Sequence, residues 1–376
     1  MIIAVLKEQA KGESRVALVP ESVKALTKQN LEVWIEKGAG EASSFTDQTY
    51  IDAGAKIKDS ATEILSSANI LIKVQKPEPD EIGQMKPDTV IVSFLGALFN
   101  KDLVEQLKKA KVTAIGLDAV PRITRAQKMD ALSSMSSIAG YKAVLIAADS
   151  LGKYMPMMMT AAGTIPPARA LVLGAGVAGL QAIATARRLG AIVEAFDVRP
   201  AVKEQVESLG AKFVEVKLEE EETETKGGYA KELSEESQKR QKQAIHNHAK
   251  RADIVITTAL IPGKPAPLLI TKETVGEMAN GSVIIDLAGE QGGNCELTKP
   301  GETIVENGVT IHSPLNITSL LPVHASQLYS KNISALIDLL IKDGALNLDF
   351  EDEIIKNATI THKGEIVSPA ILKGEL

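Results

Sequence analysis

The stretch RALVLGAGVAGLQAIATARRLG, residues 169–190, decides the fold. A short apolar run ends in Gly174-Ala175-Gly176-Val177-Ala178-Gly179, and the residues that follow carry apolar positions at helical spacing. Strand, glycine turn and helix in that order form the dinucleotide-binding fingerprint. The glycines have separate roles, since Gly174 permits the tight turn, Gly176 lets the backbone approach a pyrophosphate, and Gly179 allows close packing of helix on strand. The start of the helix offers free N–H groups and partial positive charge to phosphates. The next strand ends in Asp197, 23 positions after Gly174, where a carboxylate accepts hydrogen bonds from adenosine ribose hydroxyls and repels a 2′-phosphate. The pattern predicts NAD(H), with NAD favoured over NADP. Arg199, two positions further on, is the residue that speaks against that preference.

Working outward, a series of strands spaced by helix-length segments surrounds the turn: RALVLG, IVEAFD, KFVEV, DIVITT, SVIIDLA and VTIHS. An earlier series precedes it, with IIAVL, VWI, NILIKV, TVIVSFL and VTAIGL separated by amphipathic segments such as 21–29 and 101–109. Both series predict α/β architecture: two doubly wound, parallel-sheet (Rossmann-like) domains separated by a cleft. Residues 126–152 carry few breakers beyond Gly140 and read as one or two linking helices. After His324 comes an amphipathic helix near 326–342, then ATITHKGEIVS, a hairpin turning at Lys363 and Gly364. The expected domains are therefore 1–125 plus 325–376, split in sequence, and 153–324 for the dinucleotide. Residues 217–251 are dense in Glu, Lys and Gln around Gly227-Gly228-Tyr229, which fits a solvated insertion or a flap hinged at the glycine pair.

The composition excludes several classes. The 376 residues allow about two cores. A net charge of −6 with 3% aromatic residues provides neither a phosphate-tracking surface nor base-stacking platforms, so nucleic acid is not an expected partner. The single cysteine, Cys295, cannot make an internal disulfide and lacks a basic sequence neighbour to activate it, so the cytoplasm is expected. The N-terminus lacks the form of a signal peptide, and no uninterrupted apolar run approaches the length of a membrane span, so direct membrane insertion is not expected.

Acid and base candidates are few. The five histidines are His246, His248, His312, His324 and His362, and none sits in an obvious relay. His246 and His248, at i and i+2, point to different sides of a helix, so no metal site is expected. A second polar cluster, Arg122, Gln127 and Asp130 in PRITRAQKMDALSS, reads either as a loop leading into a capped helix or as one wall of the expected cleft. There an Arg and an Asp would hold a neutral carboxamide and a Gln would bridge to a second polar ligand.

These stretches, with GGYAKE (227–232), TTALIPGKPAP (257–267) and VIIDLAGEQGGNCE (283–296), resemble the first domain of the proton-translocating NAD(P) transhydrogenases over essentially the whole chain. The resemblance implies an enzyme subunit that binds NAD(H) and exchanges hydride directly with NADP(H) on a partner subunit, while a membrane-spanning subunit couples the exchange to proton translocation. The chain ends at SPAILKGEL without a transmembrane segment, which implies the separate-subunit form, attached to the cytoplasmic face of the inner membrane through its partners. It also implies a homodimer. By resemblance Arg122, Gln127 and Asp130 flank the nicotinamide, with Gln127 reaching toward NADP. Lys128, Met129, Ser133, Val177, Asp197, Val198, Arg199, Gly228, Gln241 and Leu260 line the NAD(H) site, and Tyr229 lies on a closing loop. The nearest rival family, the alanine dehydrogenases, shares the architecture and a start like LKEQAKGESRVALVP, in which Arg15 would take a substrate carboxylate. That chemistry needs a Lys and a His, and this sequence has Gln75 and Gly96 in their places. A non-catalytic NAD-binding regulator is the remaining alternative.

Overall fold

The computed structural model describes residues 1–216, 234–261 and 264–373. The chain divides into two compact units, Met1–Met135 with Thr318–Leu376, and Ser136–Ile317.

In unit 1 the strands β1 (Ile2–Val5), β2 (Glu32–Glu36), β3 (Lys56–Lys58), β4 (Ile70–Ile72), β5 (Val90–Ser93) and β6 (Thr113–Gly116) are parallel, in the order β6-β5-β4-β1-β2-β3. The central strands are continuous buried runs, as a sheet covered on both faces requires. The tail strand Thr359–His362 pairs antiparallel with β6, and Glu365–Ile366 pairs antiparallel with that strand at the sheet edge. Helix Pro322–Leu340 buries Tyr329, Ile333, Leu336 and Ile337, and its Ser326 and Ser330 hydroxyls accept the backbone N–H groups of Val16 and Val19. Residues some 310 positions apart thus share one core.

Unit 2 contains a small antiparallel pair, β7 (Met158–Thr160) and β8 (Gly163–Ile165), and a seven-stranded sheet. The sheet strands are β9 (Arg169–Leu173), β10 (Ile192–Phe196), β11 (Lys212–Phe213), β12 (Ile254–Thr257), β13 (Val283–Asp286), β14 (Thr303–Glu306) and β15 (Val309–His312). Their order is β11-β10-β9-β12-β13-β15-β14, parallel except for β14. The direction of winding reverses between β9 and β12, the switch point at which doubly wound sheets bind ligands.

The doubly wound parallel α/β architecture matches the sequence reading, and β3, β14 and the pair β7–β8 are additions to it. The segment read as a 126–152 linker forms a 3-10 helix, Thr124–Met129, and an α-helix, Ala131–Ser150. The division between units falls inside that helix, and the second falls at 317/318 rather than after His324. Ala131–Ser150 is also, by length and composition, the one helix among the described residues that could cross a membrane. Its Ala143, Val144 and Ala147 are buried in the unit 2 core, and Gly140 lies so near Ala178 that a Cβ would come within 2.0 Å of the Ala178 carbonyl oxygen.

Candidate functional site

The glycine turn follows β9 and opens helix Val177–Arg188. Gly174 has φ +98°, a left-handed conformation, and a Cβ there would stand 2.5 Å from the Thr258 hydroxyl. A Cβ on Gly179 would stand 1.8 Å from the Gly174 carbonyl oxygen, so this glycine seats the helix on the turn. Gly176 differs: its φ of −75° suits any residue, and a Cβ would meet nothing within 4 Å. The bare backbone at Gly176 therefore faces open space, beside helix N–H groups that have no partner within the helix. Gly174 thus makes the tight turn and Gly179 the close seat of the helix, while Gly176 leaves the backbone uncovered.

Asp197, just after β10, is buried. Its Oδ2 accepts the Ala175 N–H at 2.7 Å, tying the acid to the turn. Arg199 binds the same carboxylate, donating Nε to Oδ1 at 2.9 Å, Nη2 to Oδ2 at 2.8 Å and its backbone N–H to Oδ1 at 2.9 Å. With about four acceptor directions on a carboxylate, these contacts already use them all. Ribose hydroxyls reaching Asp197 would take acceptor positions now held by Arg199.

Two residues that sequence reasoning passed over complete this edge. The Thr258 hydroxyl, after β12, contacts the carbonyl oxygens of Leu173 and Gly174 at 3.3 and 3.2 Å. Asn294 accepts the Ala259 N–H and donates to the carbonyls of Ala259 and Pro267, fixing the loop that carries Leu260. Asp286, fully buried at the end of β13, holds Asn294 and Cys295 through their N–H groups. Burial pushes the Cys295 thiol up to about 11, which suits a structural role. Val177 and Leu260 are exposed, Val198 packs partly on the core, and Gln241 is buried in helix Glu235–Ala249. Gly228 and Tyr229, and with them the tip of the expected flap, lie outside the described residues. His246 meets the Thr274 hydroxyl and His248 meets Glu194.

The loop with Arg122, Gln127 and Asp130 belongs to unit 1, so the two expected portions of the site are carried by different units. Arg122, Gln127 and Lys128 are exposed, whereas Ala126 and Met129 are buried and anchor the turn. The Asp130 carboxylate accepts the Ser133 N–H at 2.8 Å and its hydroxyl at 2.6 Å, capping helix Ala131–Ser150.

At the strand ends of unit 1 the structure places a buried charged network. Arg15 donates Nε and Nη2 to Glu13 at 2.8 and 2.6 Å, and the same carboxylate accepts Gln75 Nε2 at 2.7 Å and the Ser319 hydroxyl at 2.5 Å. Burial alone would raise the Glu13 pKa, but these bonds outweigh it and hold the group at about 2. Glu8 lies beside Lys73, yet burial prevails and pushes its carboxyl up to about 7. Gly96 has φ +54°, and a Cβ there would stand 2.8 Å from the Asn100 amide nitrogen.

The fold and the glycine turn define a Rossmann-like α/β protein of the dinucleotide-binding class. Residues 4–139 match the alanine dehydrogenase/PNT N-terminal domain and 143–369 match the C-terminal domain of the same family. The chain is 51% identical to the first portion of NAD(P) transhydrogenase subunit alpha from Rhodospirillum rubrum, covering 99% of each chain. A transhydrogenase structure from Sinorhizobium meliloti superimposes with a TM-score of 0.86 at 41% identity, covering 98% of this chain and all of that one. An L-alanine dehydrogenase structure gives 0.83 at 28%, covering 100% and 99%. The chain belongs to the alanine dehydrogenase/PNT family of oxidoreductases, and within it to the NAD(P) transhydrogenase alpha subunits.

Proposed function

We propose that this chain is the NAD(H)-binding subunit of a proton-translocating transhydrogenase. It passes hydride between its own NAD(H) and NADP(H) on a partner subunit, and a membrane-spanning subunit couples that exchange to proton movement. The observation that carries this reading is the open backbone at Gly176 joined to Asp197 through Ala175, in a chain with full-length likeness to transhydrogenase alpha subunits. When bound, the nicotinamide ring supplies the carbon that gives or receives hydride. The turn and the first N–H groups of helix Val177–Arg188 hold the pyrophosphate, and Asp197 takes the ribose hydroxyls. Arg122 and Asp130 orient the carboxamide, with Ser133 and Leu260 alongside, and Gln127 faces the partner. Hydride exchange between two rings moves no accompanying proton, so orientation and proximity carry the rate.

Gln75 and Gly96 favour this over an amino-acid dehydrogenase. Gln75 does not titrate and is engaged with Glu13, and Gly96 has no side chain, so neither position supplies a proton to a keto acid. The same reading places the chain as a dimer at the cytoplasmic membrane face. The test is stopped-flow mixing of the purified chain and an NADH analogue with a recombinant NADP-binding domain of a transhydrogenase. Alanine, and pyruvate with ammonia, serve as parallel substrates. Rapid hydride transfer only with the partner domain is expected. Turnover of alanine or pyruvate by the chain alone would overturn the reading.

A further inference from the structure

Gln127 stands exposed on the 3-10 helix Thr124–Met129, and the residues around it are tied down from two sides. Arg125 makes a bidentate pair with Asp352, Nη1 to Oδ2 at 2.6 Å and Nη2 to Oδ1 at 2.8 Å. Asn332, on helix Pro322–Leu340, donates Nδ2 to the Lys128 carbonyl at 2.8 Å. Asp352 is itself held, because its Oδ1 also accepts the Ile354 N–H at 2.8 Å at the start of helix Glu353–Ala358. Ala126 and Met129 complete the anchorage by burial.

We propose that Arg125 is a positioning residue, which through Asp352 fixes the turn that presents Gln127 to the partner's nucleotide. The proposal rests on the hydride-transfer reading above. An ion pair with one largely exposed partner contributes little to stability, since water screens it, so its fixed bidentate geometry matters more for orientation. Transfer between two rings is sensitive to that orientation, and a misplacement of about 1 Å can cost roughly a hundredfold in rate.

The experiment compares full-length wild type with Arg125→Ala, Arg125→Lys, Asp352→Asn and the double variant Arg125→Ala/Asp352→Asn. Asparagine keeps an acceptor for the Ile354 N–H. Three quantities are measured: single-turnover hydride transfer to the recombinant NADP-binding domain, NADH affinity and thermal unfolding. Each of Arg125→Ala and Asp352→Asn is expected to slow transfer about tenfold, with NADH affinity and unfolding temperature nearly unchanged. Arg125→Lys should recover part of the rate. The double variant should be no slower than either single change, because both act through one pair. Wild-type rates in Arg125→Ala, or losses that multiply in the double variant, would overturn the proposal. So would a slower rate that merely follows lost stability. A wild-type chain that passes no hydride would instead defeat the underlying reading, and the positioning role with it.

Discussion

In unit 2, the loops after β9, β10 and β12 leave the backbone bare around Gly176; in unit 1, the loops after β1 and β4 crowd Glu8, Glu13, Arg15, Lys73 and Gln75 into one buried network. The two sheets share a winding pattern, and each has its switch point at these strand ends. What separates them is where the hydrogen-bonding capacity goes. In unit 2 the first N–H groups of helix Val177–Arg188 have no partner within the helix and no Cβ covers Gly176, whereas in unit 1 Glu13 is satisfied by its own neighbours. A topology makes a crevice, and side chains decide whether it receives anything.

The sharpest test of the unit 1 network is Glu13→Ala, which leaves the buried Arg15 without its bidentate partner. A loss of roughly 3–5 kcal/mol is expected in denaturant unfolding, and a loss below about 1 kcal/mol would mean that the network is not closed in the way described. In unit 2 the glycines should separate. Gly179→Ala drives a methyl group into the Gly174 carbonyl and should cost about 3 kcal/mol of stability. Gly176→Ala should leave unfolding within about 0.5 kcal/mol of wild type while weakening NADH binding. Equal unfolding behaviour of the two variants would erase the distinction between seating and admitting.

Asp197→Ala should weaken NADH binding by about 2 kcal/mol, measured by titration, and relax the rejection of NADPH. Unchanged selectivity would assign it to another residue. A further test concerns pH. Glu8 holds its proton up to about pH 7 when folded but releases it near 4.5 when unfolded. Its contribution is therefore complete below pH 4.5 and is lost as the pH rises through 7, at up to about 1.4 kcal/mol per pH unit. Glu8→Gln should flatten that slope in unfolding measured from pH 4.5 to 7. Glu13 runs oppositely: its folded pKa of about 2 supplies stability above pH 4.5 that fades as the pH falls toward 2.

Much of this was legible because the central strands are buried on both faces, and a run such as IIAV or VIID has no polar alternation to confuse it. The glycine turn was legible because Gly174 and Gly179 answer local steric demands within a few residues of each other. Strand β3 escaped notice because KIK is three residues at a sheet edge, and β14 because its side chains are only half-buried or exposed. The Glu13 network was illegible for a different reason. Gln75 and Ser319 reach Glu13 from 62 and 306 positions away, and nothing local announces that meeting. Thr258 was hidden in the same way, since its partner Gly174 lies 84 positions earlier.

The chain's one cysteine has a practical consequence. Cys295 is enclosed in unit 2 with its thiol raised to about 11, so an alkylating reagent finds neither access nor thiolate while that unit stays shut. Unit 1 contributes no thiol at all. The rate at which the intact chain takes up a single label thus becomes a clock for opening of the nucleotide-binding half alone, and a slower clock in the presence of NADH would time ligand protection without any engineered probe.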